Sequence, residues 1–225
     1  MAHEPDPTWT NVDHYLERAL FRSDKALEGA LTASVEAGLP PIQVAPNQGK
    51  LLALWAQTIR ARTILEIGTL GGYSTIWLAR TLPAGGKLTT LELDPKHAAV
   101  ARANFERAGV SDRIELRVGR ALDILPLLAA ESPAAFDFVF IDADKQSIPE
   151  YFDWSLKLAH PGSVIVVDNV IRRGAVADPN TTDAAVRGVQ RFIEQLANEP
   201  RVSGTIVQTV GSKGYDGFAY LLVTS

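Results

Sequence analysis

From Thr63 onward the chain alternates short β-rich runs with segments whose apolar residues recur at helical spacing, and this rhythm restricts the fold more than any other feature. The runs "TILEIG" (63–68), "KLTTLEL" (87–93), "RIELRV" (113–118), "FDFVFID" (136–142) and "SVIVVD" (163–168) read as strands of ordinary length. Between them, "YSTIWLARTL", "PKHAAVARANFERAG", "ALDILPLLAAE" and "SIPEYFDWSLKLA" read as helices. Parallel neighbours need a crossover, so strand–helix–strand units imply a mostly parallel sheet. "FVFI" and "VIVV" are apolar at consecutive positions, as in central strands covered on both faces.

The flanks depart from this rhythm. Residues 9–60 hold three helical patterns and no strand. The second helix is expected to start at Ser23, with Asp24 in its first turn, and to stop at Gly38. "LPPIQVAP" (39–46) then breaks the pattern, and Asn47 is placed to cap the third helix. After a helix around 182–197, "TIVQTV" (205–210) and "GFAYLLV" (217–223) are joined by "GSKGYD", which suggests an antiparallel pair. The expected architecture is α/β: a doubly wound seven-stranded sheet, mostly parallel, with an antiparallel C-terminal hairpin and a helical N-terminal cap. Its 225 residues suit one domain, 1–225, with 1–60 as cap and 61–225 as core.

Composition removes several functions. With no cysteine there is neither a disulfide framework nor a thiolate metal site. The net charge of −4, with both signs interspersed, gives no reason to expect nucleic acid. No apolar run approaches the ~20 residues that span a bilayer. The start, "MAHEPDPTWT", has acids and prolines where a secretory leader has basic and then apolar residues, so a cytoplasmic protein off the membrane is expected.

Ligands of open α/β sheets bind beyond the carboxyl ends of the strands. After "TILE" comes "IGTLGGYS", a G-x-x-G-G loop whose glycines let backbone approach a ligand, followed by a helix N-terminus suited to an anion. It is not the G-x-G-x-x-G of dinucleotide sites, and a tight turn with no ligand also explains such a stretch. Glu92, at the exit of the second run, is placed to accept from ribose hydroxyls, or is simply a polar strand exit. Glu66, between Leu65 and Ile67, is harder to explain blandly. A buried carboxylate needs a partner, and a cationic ligand would be one. Two further apolar runs end in "DADK" (142–145) and "DN" (168–169). Asp142, Asp168 and Asn169 are hard oxygen donors with no His or Cys among them, which suits Mg²⁺, Mn²⁺ or Ca²⁺.

Taken in order, "ILEIGTLGGYSTIWLAR", "LTTLELDPKHAAVARANFERAG", "FDFVFIDADK" and "VIVVDNV" resemble a class I S-adenosylmethionine-dependent methyltransferase. More narrowly, they resemble the cation-dependent O-methyltransferases of the catechol and caffeoyl-CoA type, especially small bacterial members. The resemblance runs from "IQVAPNQGKLL" (42–52) to the last strand, and the pairing of "DADK" with "DN" makes it specific. It implies a Rossmann-like sheet that binds S-adenosylmethionine. Glu66 and Gly68 would line the methionine end, with Ser74 near its carboxylate. Val44 would lie by the sulfonium, Glu92 would hold the ribose, and "GRALD" (119–123), through Ala121, would pass the adenine. Asp142, Asp168 and Asn169 would hold the cation, Asp142 facing the cofactor as well. Lys145 would be the general base: an ordinary lysine is protonated near pH 7, and nearby positive charge favours its neutral form. The acceptor would be a small aromatic with adjacent oxygens, and the enzyme a homodimer.

Two other readings remain open at this stage. One is a nicotinamide-dependent oxidoreductase on a similar sheet, against which the glycine spacing and the metal set count. The other is a non-catalytic cofactor-binding scaffold. Asp144 reads as structural, Asp94–Pro95 as a helix start, and the four histidines show no metal spacing. Arg172 and Arg173 read as a solvated loop, with an acidic substrate group as the alternative.

Overall fold

A computed structural model of the chain describes residues 6–131 and 136–225. The reading of the first five residues as part of no secretory leader lies outside them. Three helices come first: α1 (Pro7–Leu20), α2 (Lys25–Glu36) and α3 (Pro46–Thr58). Five βα-type units follow, with β1 (Thr63–Ile67), α4 (Tyr73–Ala79), β2 (Lys87–Glu92), α5 (Pro95–Arg107), β3 (Ile114–Val118) and α6 (Ala121–Glu131) forming the first half. The second half comprises β4 (Phe136–Ile141), α7 (Ile148–Leu158), β5 (Ala159–Asp168), α8 (Ala184–Ala197), β6 (Val202–Gly211) and β7 (Gly214–Val223). Among the described residues no helix is long and apolar enough to cross a membrane.

The strands form one seven-stranded sheet in the order β3-β2-β1-β4-β5-β7-β6. The pairs β2–β3, β1–β2, β1–β4 and β4–β5 are parallel, while β5–β7 and β6–β7 are antiparallel. The expected mostly parallel sheet with an antiparallel C-terminal pair is therefore present. The side-chain period of two divides the central strands between two cores. Leu65, Ile67, Val139, Ile141, Ile165 and Val167 pack beneath α6, α7 and α8, whereas Ile64, Phe138, Phe140, Val164 and Val166 face the core shared with α2 to α5. Both faces are covered, which is why these runs are apolar without alternation.

Three local expectations are corrected. Asp24 is the N-cap of α2, not a residue of its first turn: its side chain accepts from the N–H groups of Ala26 and Leu27. Asn47 does not cap α3, which begins with Ala45 as cap and Pro46 in the first turn; the Asn47 amide instead donates to Asp13 Oδ1 at 3.1 Å. The C-terminal hairpin is longer than "TIVQTV" and "GFAYLLV" suggested, pairing Gly211 with Gly214 across a two-residue turn, Ser212–Lys213. Asp94 caps α5 as read from the sequence, accepting from Lys96 N at 2.7 Å, a contribution of roughly 1 kcal/mol.

Candidate active site

Strand order puts the site where the chain reverses direction across the sheet. From β1 it proceeds outward to β2 and β3, then returns to place β4 on the other side, which opens a crevice between the ends of β1 and β4. The register keeps those ends level, since Ile67 pairs with both Leu91 and Ile141, and Ile141 pairs with Val167. Gly68, Glu92, Asp142 and Asp168 therefore emerge side by side. Gly68 has φ 101°. A Cβ there would lie 2.1 Å from the Asp142 carbonyl oxygen, so only glycine lets the two exits remain adjacent.

The glycine loop is tied down by Glu92. Its Oε2 accepts from Thr69 N at 3.2 Å and Leu70 N at 2.7 Å, and its Oε1 accepts from Asp94 N at 2.9 Å. His97 Nδ1 lies 3.5 Å from the same Oε1. These groups wall a cavity of about 560 Å³ that Gly68, Ser74, Glu92, Ala121, Asp142 and Lys145 also line. A second cavity of about 980 Å³ lies on the side of α1 and the hairpin, with Asp168 in its wall. Val44 and Asn169 line both, so the two spaces meet there.

Glu66 does not line either cavity. It is wholly buried on the α4 face of β1, behind the glycine loop. Its Oε1 accepts from Ser74 Oγ at 2.6 Å, and its Oε2 accepts from Thr75 Oγ1 at 2.5 Å and Thr90 Oγ1 at 2.7 Å. Because the Thr90 proton is committed to Glu66, Thr69 Oγ1 donates to Thr90 across 2.6 Å. The partner inferred for Glu66 is thus three hydroxyls rather than a cation. Thr90 sits directly opposite Glu66 in the parallel register, so the "TT" inside an otherwise apolar strand was the available signal for it.

Burial pushes Glu66 up to about 7, against the pull of its hydroxyl donors. Its folded-state affinity for a proton therefore exceeds that of an ordinary glutamate, near 4.5. Between these values the folded chain keeps a proton that the unfolded chain has lost. Stability from this group is present below about 4.5 and is lost as pH rises to about 7. At about 1.4 kcal/mol per pH unit the full loss is on the order of 3 kcal/mol. Glu66→Gln has no such proton to lose, so its stability relative to the parent should rise between pH 5 and pH 8. Chemical denaturation of both proteins at the two pH values measures this, and parallel curves would show that Glu66 is ionised throughout.

The other carboxylates meet at the junction of the cavities. Lys145 Nζ lies 2.7 Å from Asp142 Oδ1. The "DADK" loop is held by Asp144, which accepts from Ser147 N at 3.1 Å and from the Tyr151 hydroxyl, in keeping with the structural role read for it. Helix α8 packs against the same loop through Gly188, where a Cβ would lie 2.1 Å from the Lys145 carbonyl oxygen. Asp168 is 5% exposed, and its Oδ1 accepts from Asn169 N at 2.8 Å. Burial, and then the neighbouring Asp142 carboxylate, push the Asp168 carboxyl up from its ordinary range. Asn169 adopts φ 58°, in the left-handed region that asparagine tolerates.

This donor set fits a divalent ion. Two carboxylates repel one another at the meeting point of two cavities, beside an amide, and a dication would relieve that repulsion while keeping oxygen ligands. Among the described residues no group of three His, Cys, Asp or Glu side chains could hold a metal. The set here has two carboxylates and one amide, so any ion would draw its remaining ligands from water or substrate.

Arg172 departs from the solvated loop read for it. It lines both cavities, and its Nε is buried without a hydrogen-bond partner. Arg173 is exposed at the rim of the larger cavity.

Known proteins agree with this arrangement. The O-methyltransferase family model matches residues 22–215. A catechol O-methyltransferase of Niastella koreensis is 53% identical over 213 residues, covering 95% of this chain and 96% of that protein. One from Mycobacterium tuberculosis is 50% identical over 223 residues, 99% of each. Among solved structures, an O-methyltransferase of Bacillus cereus in complex with SAH superposes with a TM-score of 0.95 at 55% identity, covering 96% of this chain and 99% of that one. A Streptomyces achromogenes O-methyltransferase involved in tomaymycin synthesis, in complex with SAM, gives 0.94 at 53% identity, covering 97% and 98%. The glycine loop, the level strand exits and the acidic junction thus sit on a scaffold matched over nearly its whole length, and the chain belongs to the O-methyltransferase family.

Proposed function

We propose that this protein is an S-adenosylmethionine-dependent, divalent-cation-dependent O-methyltransferase acting on one hydroxyl of a small aromatic vicinal diol. The observation that carries this reading is the junction itself: two cavities meet at Val44 and Asn169, with Asp142 and Lys145 in one wall and Asp168 in the other. The smaller space suits the cofactor and the larger the acceptor. Relatives named catechol O-methyltransferase support an aromatic acceptor, and neighbours holding SAM or SAH support the cofactor. A nicotinamide cofactor is disfavoured by the G-x-x-G-G spacing.

S-adenosylmethionine would supply an electrophilic methyl group, and a divalent ion would supply positive charge beside the acceptor oxygens, favouring the ionised hydroxyl and fixing both oxygens. Asp142, Asp168 and Asn169 would hold that ion. Gly68 and Ser74 would receive the methionine portion, Glu92 the ribose and Ala121 the adenine side, while Glu66 braces the loop from behind. Lys145 Nζ would take the proton from the attacking oxygen. Val44, buried at the junction, would keep water from the path of transfer.

In this reading residues 1–60 cap the 61–225 core within one methyltransferase domain, since Phe21, Gln43 and Leu51 share the larger cavity with Asp168. A homodimer through α1 and edge strand β6 would cover the exposed Tyr15, Leu20 and Val210. Calorimetric titration with S-adenosylhomocysteine tests the cofactor, with micromolar binding expected. Methyl transfer to catechol should require Mg²⁺ and stop in excess chelator. Folded protein that does not bind S-adenosylhomocysteine removes the cofactor, and full activity in chelator removes the metal.

A further inference from the structure

The larger cavity holds cationic side chains that methyl transfer to a neutral diol does not use. Four cationic side chains line it: Lys50, Arg172, Arg173 and Lys213. Among the described residues none of them forms an ion pair. Four acids share the same wall, Asp13, Asp168, Asp183 and Asp216, and their partners are backbone and amide donors rather than these cations. Asp13 accepts from Asn47 Nδ2 and from Ser212 N, and Asp183 caps α8. Asp216 Oδ1 accepts from the N–H groups of Ile171 (3.0 Å), Arg172 (2.9 Å) and Gly217 (3.0 Å).

Arg172 differs from the other three. Lys213 Nζ already donates to the Pro41 carbonyl at 3.0 Å, and Lys50 Nζ sits 5.7 Å from the centre of the Trp77 ring. Arg172 keeps a buried Nε with no partner, which is costly for a charged donor. Its backbone is also held in an uncommon shape. Arg172 and Arg173 have φ of 52° and 57°, and Gly174 follows at 85°. Two successive non-glycine residues in the left-handed region cost on the order of 1–2 kcal/mol each. Strain of this kind persists only where surrounding structure fixes it, and it gathers at ligand clamps. Here the fixing group is Asp216, through the N–H groups of Ile171 and Arg172. The result is a backbone fixed three residues beyond Asn169, from which the Arg172 side chain lines both cavities.

We propose that the acceptor of this enzyme bears a carboxylate, and that the Arg172 guanidinium receives it. The proposal rests on the larger cavity being the acceptor site, and it adds the acceptor's charge to that reading. A guanidinium offers parallel N–H donors that match a carboxylate's two oxygens, so it selects an anion by geometry as well as charge. Apolar Ile42, Leu51 and Leu54 in the same cavity provide surface for the ring.

The test compares 3,4-dihydroxybenzoate with its methyl ester, which keeps the diol and removes the charge. With Mg²⁺ and S-adenosylmethionine, the parent protein should show kcat/KM at least about tenfold higher for the acid, the scale set by a charge-assisted pair. Arg172→Gln should lower this acid-to-ester ratio at least about tenfold, and Arg172→Lys should restore part of it. A ratio unchanged in Arg172→Gln, or a parent protein that prefers the ester, overturns the proposal. Should the glutamine variant fail to fold, Arg172→Met replaces it; if neither folds, the parent ratio decides alone. Should the parent methylate neither compound, turnover of catechol decides the function proposed above. Calorimetric binding of the acid then decides the anion site separately: tenfold weaker binding in Arg172→Gln upholds it, and equal binding overturns it.

Discussion

Asp168→Ala is expected to lower kcat for catechol methylation at least about 1,000-fold while changing S-adenosylhomocysteine affinity less than about threefold. Asp168 is the cleaner of the two carboxylates for this experiment. Asp142 lines the smaller cavity and pairs with Lys145, so its loss would disturb several groups together. Asp168 lies in the wall of the larger cavity, where it accepts from the Asn169 N–H and from the Gln48 side chain. Removing one of two charged ligands leaves a cation held by one carboxylate and an amide, and with it goes charge stabilisation worth several kcal/mol. The protein itself should not suffer. A buried carboxyl pushed upward by burial and by Asp142 is a source of repulsion in the metal-free chain, so alanine there should raise the metal-free melting temperature or leave it unchanged. Loss of activity with a preserved melting temperature and intact cofactor binding identifies a ligand. Activity within tenfold of the parent would mean that the metal sits elsewhere or takes no part.

Part of this site was legible because strand ends are legible. Apolar runs of defined length, each closing on Glu92, Asp142 or Asp168, place those residues at one edge once the sheet is taken as parallel. Asn169 and Lys145 follow by adjacency. What could not be read depends on partners far apart in sequence. Glu66 called for a partner, of which a cationic ligand was one candidate, whereas its carboxylate is satisfied by hydroxyls from α4 and β2. Asp216 anchors the Arg172 backbone from 44 residues away, so a sequence reading sees only two arginines in a loop. The hairpin was read too short because β6 is mostly exposed, and the glycines at its turn carry no apolar signal for pairing. Asn47 was misplaced for a similar reason. Its use, donating to Asp13 of α1, lies 34 residues back, and a proline had already filled the first turn of α3.

Lys145 admits two roles that an alanine variant cannot separate. Its Nζ pairs with Asp142 Oδ1 at 2.7 Å, so it could orient a ligand carboxylate without moving a proton. As a general base it would take the acceptor's proton, a contribution of roughly 10²–10⁴-fold. Arginine distinguishes the two, because a guanidinium keeps the charge and the pairing but cannot give up a proton at working pH. If Lys145 is the base, Lys145→Arg and Lys145→Gln should lose kcat alike at pH 7, by at least about 100-fold, and both should regain rate as pH rises and solvent hydroxide ionises the acceptor. The parent should show a much flatter rise over the same range. If Lys145 only orients Asp142, Lys145→Arg should stay within about threefold of the parent at pH 7 and follow its pH profile, with Lys145→Gln alone impaired. Gly188 makes the comparison practical: the bare face of α8 fixes the Lys145 backbone, so these variants alter the end of the side chain and leave the loop in place.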